Sequence, residues 1–206
     1  LKPAAPILID GPADRLEVAI NDPGSPYRGI AVIAHPHPLH GGTLDNKVVA
    51  TLAKAFFRLG YYCARPNYRG VGASQGAYDE GRGEVDDVLA AIEYARRGKH
   101  EFAVALAGFS FGACVQANAQ QRLRSDGLVP RLVLVAPVVS HSDFPELPAD
   151  TVLVHGEHDE IQPLLQVLEW ARPRQLRVIV VPGASHFFHQ RLHALASIIN
   201  NNFRSA

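Results

Sequence analysis

The chain has little of what would commit it to a membrane, a nucleic acid or an oxidising compartment. It holds only two cysteines, Cys63 and Cys114, in 206 residues. Each lies in an apolar stretch of element length, where a free thiol reads as a small core hydrophobe, and no disulfide framework is indicated. Net charge is lacking too, because 20 Lys and Arg balance 20 Asp and Glu, with a pI near 7.3. A surface of that kind has no positive field to draw in nucleic acid or an anionic membrane, so the expected partner is a small molecule, neutral or of mixed charge. No run approaches the roughly 18 apolar residues of a membrane span, and no charged-then-apolar leader is present, so a cytoplasmic protein is expected. Repeats and low-complexity tracts are absent. What is present is an apolar fraction of 47%, enough for one sizeable core, and a single domain over residues 1–206 is expected.

Apolar runs of strand length alternate with stretches of helical period. Residues 15–21 (RLEVAIN) alternate apolar and polar as a half-exposed edge strand does. Residues 29–34 (GIAVIA), 61–66, 102–106, 131–137, 151–155 and 177–182 are almost continuously apolar, the pattern of strands covered on both faces. Between them, residues 46–59, 84–97, 113–123, 161–171 and about 187–201 have helical spacing or composition. This order predicts an α/β fold: a doubly wound, mostly parallel sheet with helices on both faces. One connection departs from it. Residues 138–150 (VVSHSDFPELPAD) carry no helical period, so no lid domain and an open, shallow site are expected.

The chemistry centres on Gly108-Phe109-Ser110-Phe111-Gly112. With a strand before it and a helix after it, Ser110 stands on a strand-to-helix turn, the nucleophile elbow. Such a turn strains its central residue and needs small residues two before and two after, and Gly108 and Gly112 supply them. The turn lifts the Ser110 hydroxyl above the sheet edge and aims the first N–H groups of the helix at an anion forming beside it. A serine hydroxyl still needs a base, and the base needs an acid to fix its tautomer. Past the strand of residues 151–155 come Glu157-His158-Asp159-Glu160, and past that of 177–182 comes Gly183-Ala184-Ser185-His186. Strand ends on one edge of a parallel sheet face one crevice, so Asp159 is the candidate acid and His186 the candidate base. Asp159 is also well placed to cap the helix expected from residue 161, which would leave Glu157 as acid, and His189 or His193 would be the alternative bases.

The order Ser110, Asp159, His186 resembles that of the α/β-hydrolase family, as do the GFSFG elbow, the HGEHDEIQP and GASHFF loops and the NYRGVGAS turn. The resemblance covers nearly the whole chain and is strongest to short, lidless bacterial serine hydrolases with the layout of dienelactone hydrolases. That family uses a cysteine nucleophile where this chain has Ser110, so its substrate is not carried over. The resemblance implies an enzyme of the α/β-hydrolase fold that cleaves carboxyl esters or thioesters with a serine triad and no cofactor or metal. It also implies an oxyanion hole made by the Phe111 N–H and a second N–H after residues 29–34. The family often reads His-Gly-X there, and this chain reads His35-Pro36-His37-Pro38-Leu39. The prolines have no N–H, which leaves His37 or Leu39, and His37 fits the motif better. Position alone suggests Leu39, Tyr68, Phe111, Phe144 and Phe187 for the acyl pocket.

Two other classes compete. His35 and His37 at a strand end, with His186, His189 and His193, would make a metal-dependent hydrolase, although no acidic residue near the first pair completes a zinc site. A catalytically silent binding module on the same scaffold is the third.

Overall fold

The computed structural model describes residues 5–140 and 142–204. Eight strands form one sheet: β1 (Ile7–Gly11), β2 (Asp14–Asn21), β3 (Gly29–Ala34), β4 (Tyr61–Pro66), β5 (Val104–Phe109), β6 (Arg131–Val135), β7 (Val152–Gly156) and β8 (Val178–Val181). Their order is β1-β2-β4-β3-β5-β6-β7-β8, with β1 and β2 antiparallel and the rest parallel. The helices are α1 (Lys47–Arg58), α2 (Arg82–Arg96), α3 (Phe111–Ser125), α4 (Leu164–Ala171) and α5 (Leu192–Phe203). None among the described residues is long and apolar enough to cross a membrane.

The continuously apolar strands are what their patterning requires. In β3, Ile30, Val32 and Ala34 join the core under α2 and α3, while Ala31 and Ile33 join the core under α1 and α5. Successive side chains leave a strand on opposite faces, so a run apolar at every position must be covered twice. All of its side chains are withdrawn from water.

Three expectations are corrected. β2 is not an edge strand, because β1 pairs with it through a two-residue turn at Pro12 and Ala13. β1 leaves Ile7 and Leu8 exposed, so it has no alternation to read. α4 starts at Leu164 rather than residue 161, since Asp159 Oδ1 binds the Ile161 and Gln162 N–H groups in a turn ahead of it. α5 starts at Leu192, because Phe188 and Gln190 adopt positive φ values that interrupt a helix. His189 falls between those two residues, so it shares no helical face with His186.

The described residues of the connection from β6 to β7 form no helix, as expected. It runs beside α3, where the Asp143 carbonyl accepts from Cys114 Sγ and Asn118 Nδ2 at 3.4 Å.

Candidate active site

Ser110 follows β5 directly, at φ 56° and ψ −120°. A side chain held in that region costs on the order of 1–3 kcal/mol, which the surroundings must offset. They do so by hydrogen bonds and close packing. The Ser110 N–H donates to the Val135 carbonyl at 2.9 Å, and its own carbonyl accepts from Ala113 N at 2.9 Å. A Cβ on Gly108 would stand 2.0 Å from the Gly112 oxygen, and one on Gly112 would stand 2.5 Å from the His35 oxygen. Both collisions are with backbone, which cannot swing aside.

His186 Nε2 lies 3.0 Å from Ser110 Oγ, and His186 Nδ1 lies 2.8 Å from Asp159 Oδ2. All three side chains are nearly buried. The two readings of Asp159 are therefore not exclusive, since Oδ1 accepts from the Ile161 and Gln162 N–H groups at 2.9 and 2.8 Å while Oδ2 faces the imidazole. Burial alone would raise its pKa, but the hydrogen bonds from His186 and the Gln162 N–H outweigh burial and hold the carboxyl below its usual range. An ionised Asp159 keeps the proton of neutral His186 on Nδ1 and leaves Nε2 free to accept from the serine.

Several groups that sequence reasoning missed hold this line in place. Buried His155, at the end of β7, donates from Nε2 to the Gln162 carbonyl at 2.8 Å and stands 3.3 Å from Asp159 Oδ2. Burial lowers its pKa, so it is a neutral clamp on the Asp159 turn. Glu157 and Glu160 reach across to the base loop, accepting from Gly183 N at 2.8 Å and His186 N at 3.1 Å. Glu157 is thus a brace between loops and not the stand-in acid. The one sequence signal for His155 was a polar residue ending an apolar run.

The His35–Gly42 loop is equally constrained. Its Leu39 N–H donates to His37 Nδ1 at 3.3 Å, whereas no described group accepts from the N–H of His37 or of Phe111. Gly42 closes the loop, donating to the His37 carbonyl at 3.0 Å, and a Cβ there would meet the Pro36 oxygen at 2.1 Å. The His37 ring stacks on His40 and lies 4.9 Å from that of Phe111, with Nε2 3.2 Å from the Tyr78 hydroxyl. Burial, with His40 alongside, lowers its pKa.

The pocket guesses divide. Phe111 and Phe187 line a cleft of about 960 Å³ that opens onto Ser110 and His186. Leu39 is 67% exposed on the turn Pro38–His40 and does not line it. Tyr68 is fully buried, with its hydroxyl donating to the His35 carbonyl and its N–H to His35 Nε2, so it props the loop and touches no cleft. Phe144 packs edge-on against Trp170, 5.0 Å between centroids, and is spent on the core. Cys114, expected in the core, is half-buried on the cleft wall, where burial pushes its thiol up to about 11. Cys63 is buried as expected.

The histidine-metal arrangement has no support in the side-chain geometry. His35 uses both ring nitrogens, on the Pro36 carbonyl and the Tyr68 N–H, and His37 uses both of its own. Among the described residues no three His, Cys, Asp or Glu side chains converge as ligands.

His35 gives a stability prediction. Burial lowers its pKa from 6.5 to about 4, so the unfolded chain takes up a proton first as pH falls. Its contribution is complete above pH 6.5 and is lost as pH drops towards 4, a loss of about 3 kcal/mol at 1.36 kcal/mol per unit. Asp159, with its lowered pKa, acts in the same direction. Urea unfolding of the protein at pH 7 and pH 4 should show this loss, and His35→Gln should reduce the difference by that amount.

Residues 34–174 match the profile of the Hydrolase_4 family, described as serine aminopeptidase, S33. The chain belongs to the Hydrolase_4 family. Solved α/β serine hydrolases resemble this Hydrolase_4 chain over essentially its whole length. A homologue from Coxiella burnetii is 41% identical, with 98% of each chain covered and a TM-score of 0.87. A member from Xanthomonas campestris, described as lacking a lid, is 33% identical over 100% of this chain and 95% of its own, at a TM-score of 0.89. A dienelactone hydrolase from Anabaena variabilis shares the fold at 16% identity and a TM-score of 0.75, covering 100% and 99%. The Hydrolase_4 chain is thus an α/β serine hydrolase with the lidless architecture its sequence resembled.

Proposed function

We propose that the chain hydrolyses carboxyl esters or thioesters of small molecules through an acyl-enzyme on Ser110, without a nucleic-acid or membrane partner. The observation that carries this is the unbroken hydrogen-bond line from Ser110 Oγ through His186 to Asp159, at 3.0 and 2.8 Å. His186 Nε2 takes the hydroxyl proton as Ser110 Oγ attacks the carbonyl carbon, and Asp159 stabilises the imidazolium. The carbonyl oxygen, now negative, accepts from the N–H groups of Phe111 and His37. Each such donor is worth about 2.7–4 kcal/mol to the transition state. Collapse of this tetrahedral species expels the alcohol or thiol, which takes the proton from His186. Water, deprotonated by His186, then attacks the acyl-serine and releases the acid and Ser110.

The His37 N–H supports this reading because nothing in the described protein uses it, whereas the Leu39 N–H is committed. The family description names an aminopeptidase, and the same groups would attack an amide, so aminoacyl p-nitroanilides serve as the control substrate.

The test is labelling with a fluorophosphonate. Wild-type protein should label at one serine and lose the label in Ser110→Ala, and p-nitrophenyl butyrate hydrolysis should continue in the presence of a chelator. Label retained in Ser110→Ala, or hydrolysis abolished by the chelator, would overturn the proposal. So would wild-type protein that neither labels nor hydrolyses.

A further inference from the structure

The cleft does not end beside Ser110. Phe111, Cys114, Val115, Asn118, Gln121 and Arg122 all line the same cavity, and residues at such spacings lie along one face of a helix. From Phe111 to Arg122 the axis of α3 rises about 16 Å. The cavity is therefore a trench that follows α3 away from the nucleophile. The β6–β7 connection forms a wall of it through Val138, Ser142 and Asp143, the Asp143 carbonyl accepting from Cys114 Sγ and Asn118 Nδ2 at 3.4 Å.

The chemistry of the trench changes along its length. Beside Ser110 it is apolar, with Phe111 and Val115 on α3 and with Val85 and Val138 also on its walls. Further on stands Asn118, whose Nδ2 donates to the Cys114 and Asp143 carbonyls at 2.9 and 3.4 Å while no described donor reaches its Oδ1. Exposed Gln121 and half-exposed Arg122 close the far end. The charges on its lining balance, Arg82 and Arg122 against Glu80 and Asp143. Both guanidinium groups are paired, Arg82 with Asp79 and Glu80 and Arg122 with Asp86. An anionic arm would meet Asp143 and find both guanidinium groups already paired, and a cationic one would have only exposed Asp143 to meet, whereas an uncharged donor finds Asn118 Oδ1 and either a donor or an acceptor finds the Gln121 amide.

Building on the ester or thioester hydrolysis proposed above, we infer that the trench is a subsite for a long, uncharged, amide-bearing arm, with a short apolar segment between the scissile carbonyl and the first amide. A plain alkyl chain of the same length would leave these polar groups without partners. A short acyl group would not reach them.

Three p-nitrophenyl esters separate the cases: butyrate, dodecanoate and N-acetylglycyl-aminohexanoate, whose amides follow a run of methylenes. Wild-type kcat/KM should favour the amide-bearing ester over both others by roughly tenfold, the worth of one or two hydrogen bonds. Asn118→Trp should fill the trench and erase that preference while leaving butyrate within about twofold. Gln121→Trp, at an exposed position, blocks the far end without touching an internal hydrogen bond and should act in the same direction. Equal rates for the amide-bearing and alkyl esters, or equal losses on all three in both variants, would overturn the inference. If wild-type protein hydrolyses none of them, the ester reading fails by itself. Calorimetry with free N-acetylglycyl-aminohexanoate then judges the trench, with binding weakened in Gln121→Trp supporting it and no binding to wild type rejecting it.

Discussion

Replacing Ser110 by alanine is expected to lower kcat for p-nitrophenyl esters by about 10⁴- to 10⁶-fold, with little change in folding. Losing the nucleophile removes the covalent route altogether, and triad serines elsewhere cost on that scale because the remaining members cannot act without it. Two N–H groups and a cleft would still bind the carbonyl, so a residual rate above that in water should persist. The fold should survive, because the Ser110 side chain makes one hydrogen bond, to His186 Nε2, and its removal leaves no hydroxyl to satisfy. The backbone strain stays, since alanine at φ 56° is no better placed than serine. Steady-state rates and thermal melts on the same preparations check both halves. A variant retaining more than about a hundredth of wild-type kcat would contradict the assignment.

The second large effect is expected of Asp159→Asn, about 10⁴-fold in kcat. The cause is proton placement. Oδ1 of Asp159 accepts two backbone N–H groups, so the amide oxygen of the substituted side chain must stay on that side. Its NH₂ is then turned towards His186 Nδ1, where Oδ2 had been. A donor there makes Nδ1 an acceptor and puts the imidazole proton on Nε2, facing the serine with the wrong polarity. The His155 Nε2–H, 3.3 Å from the Oδ2 position, prefers an oxygen there, but the two backbone N–H groups on the other side outnumber it. A loss of kcat with little change in KM, alongside unchanged fluorescence and a lowered melting temperature from the lost carboxylate, is the expected signature. An Asp159→Asn enzyme within tenfold of wild type would mean that the carboxylate does not set the tautomer.

Much of this architecture was legible in the residues, and what was not has identifiable reasons. Strands β3 and β4 could be placed to the residue because a run buried on both faces is apolar almost throughout, the exception being Arg65, whose guanidinium donates to the Leu44 carbonyl. Two helix starts came late, since Asp159 ties up the amides ahead of α4 and the positive φ at Phe188 and Gln190, which interrupts the start of α5, has no signature in the sequence. Ser110, Asp159 and His186 could be picked because turn chemistry and strand order place them at one sheet edge. The cleft walls could not be read, since a tyrosine after a strand looks the same whether it faces substrate or, like Tyr68, spends its hydroxyl on a buried carbonyl. Asn118 and Arg122 escaped because a polar residue on an exposed helix face is the ordinary condition.

The bridges between the loops after β7 and β8 have a mechanical consequence. Glu157 and Glu160 bind the base loop by its backbone, and the His158 N–H donates to the Ala184 carbonyl at 2.9 Å. Asp159 and His186 therefore travel as one body on the outer two strands, while Ser110 is fixed at the middle of the sheet. Warming should stretch the seam between nucleophile and base first, so catalysis would fade while the imidazole and carboxylate remain joined.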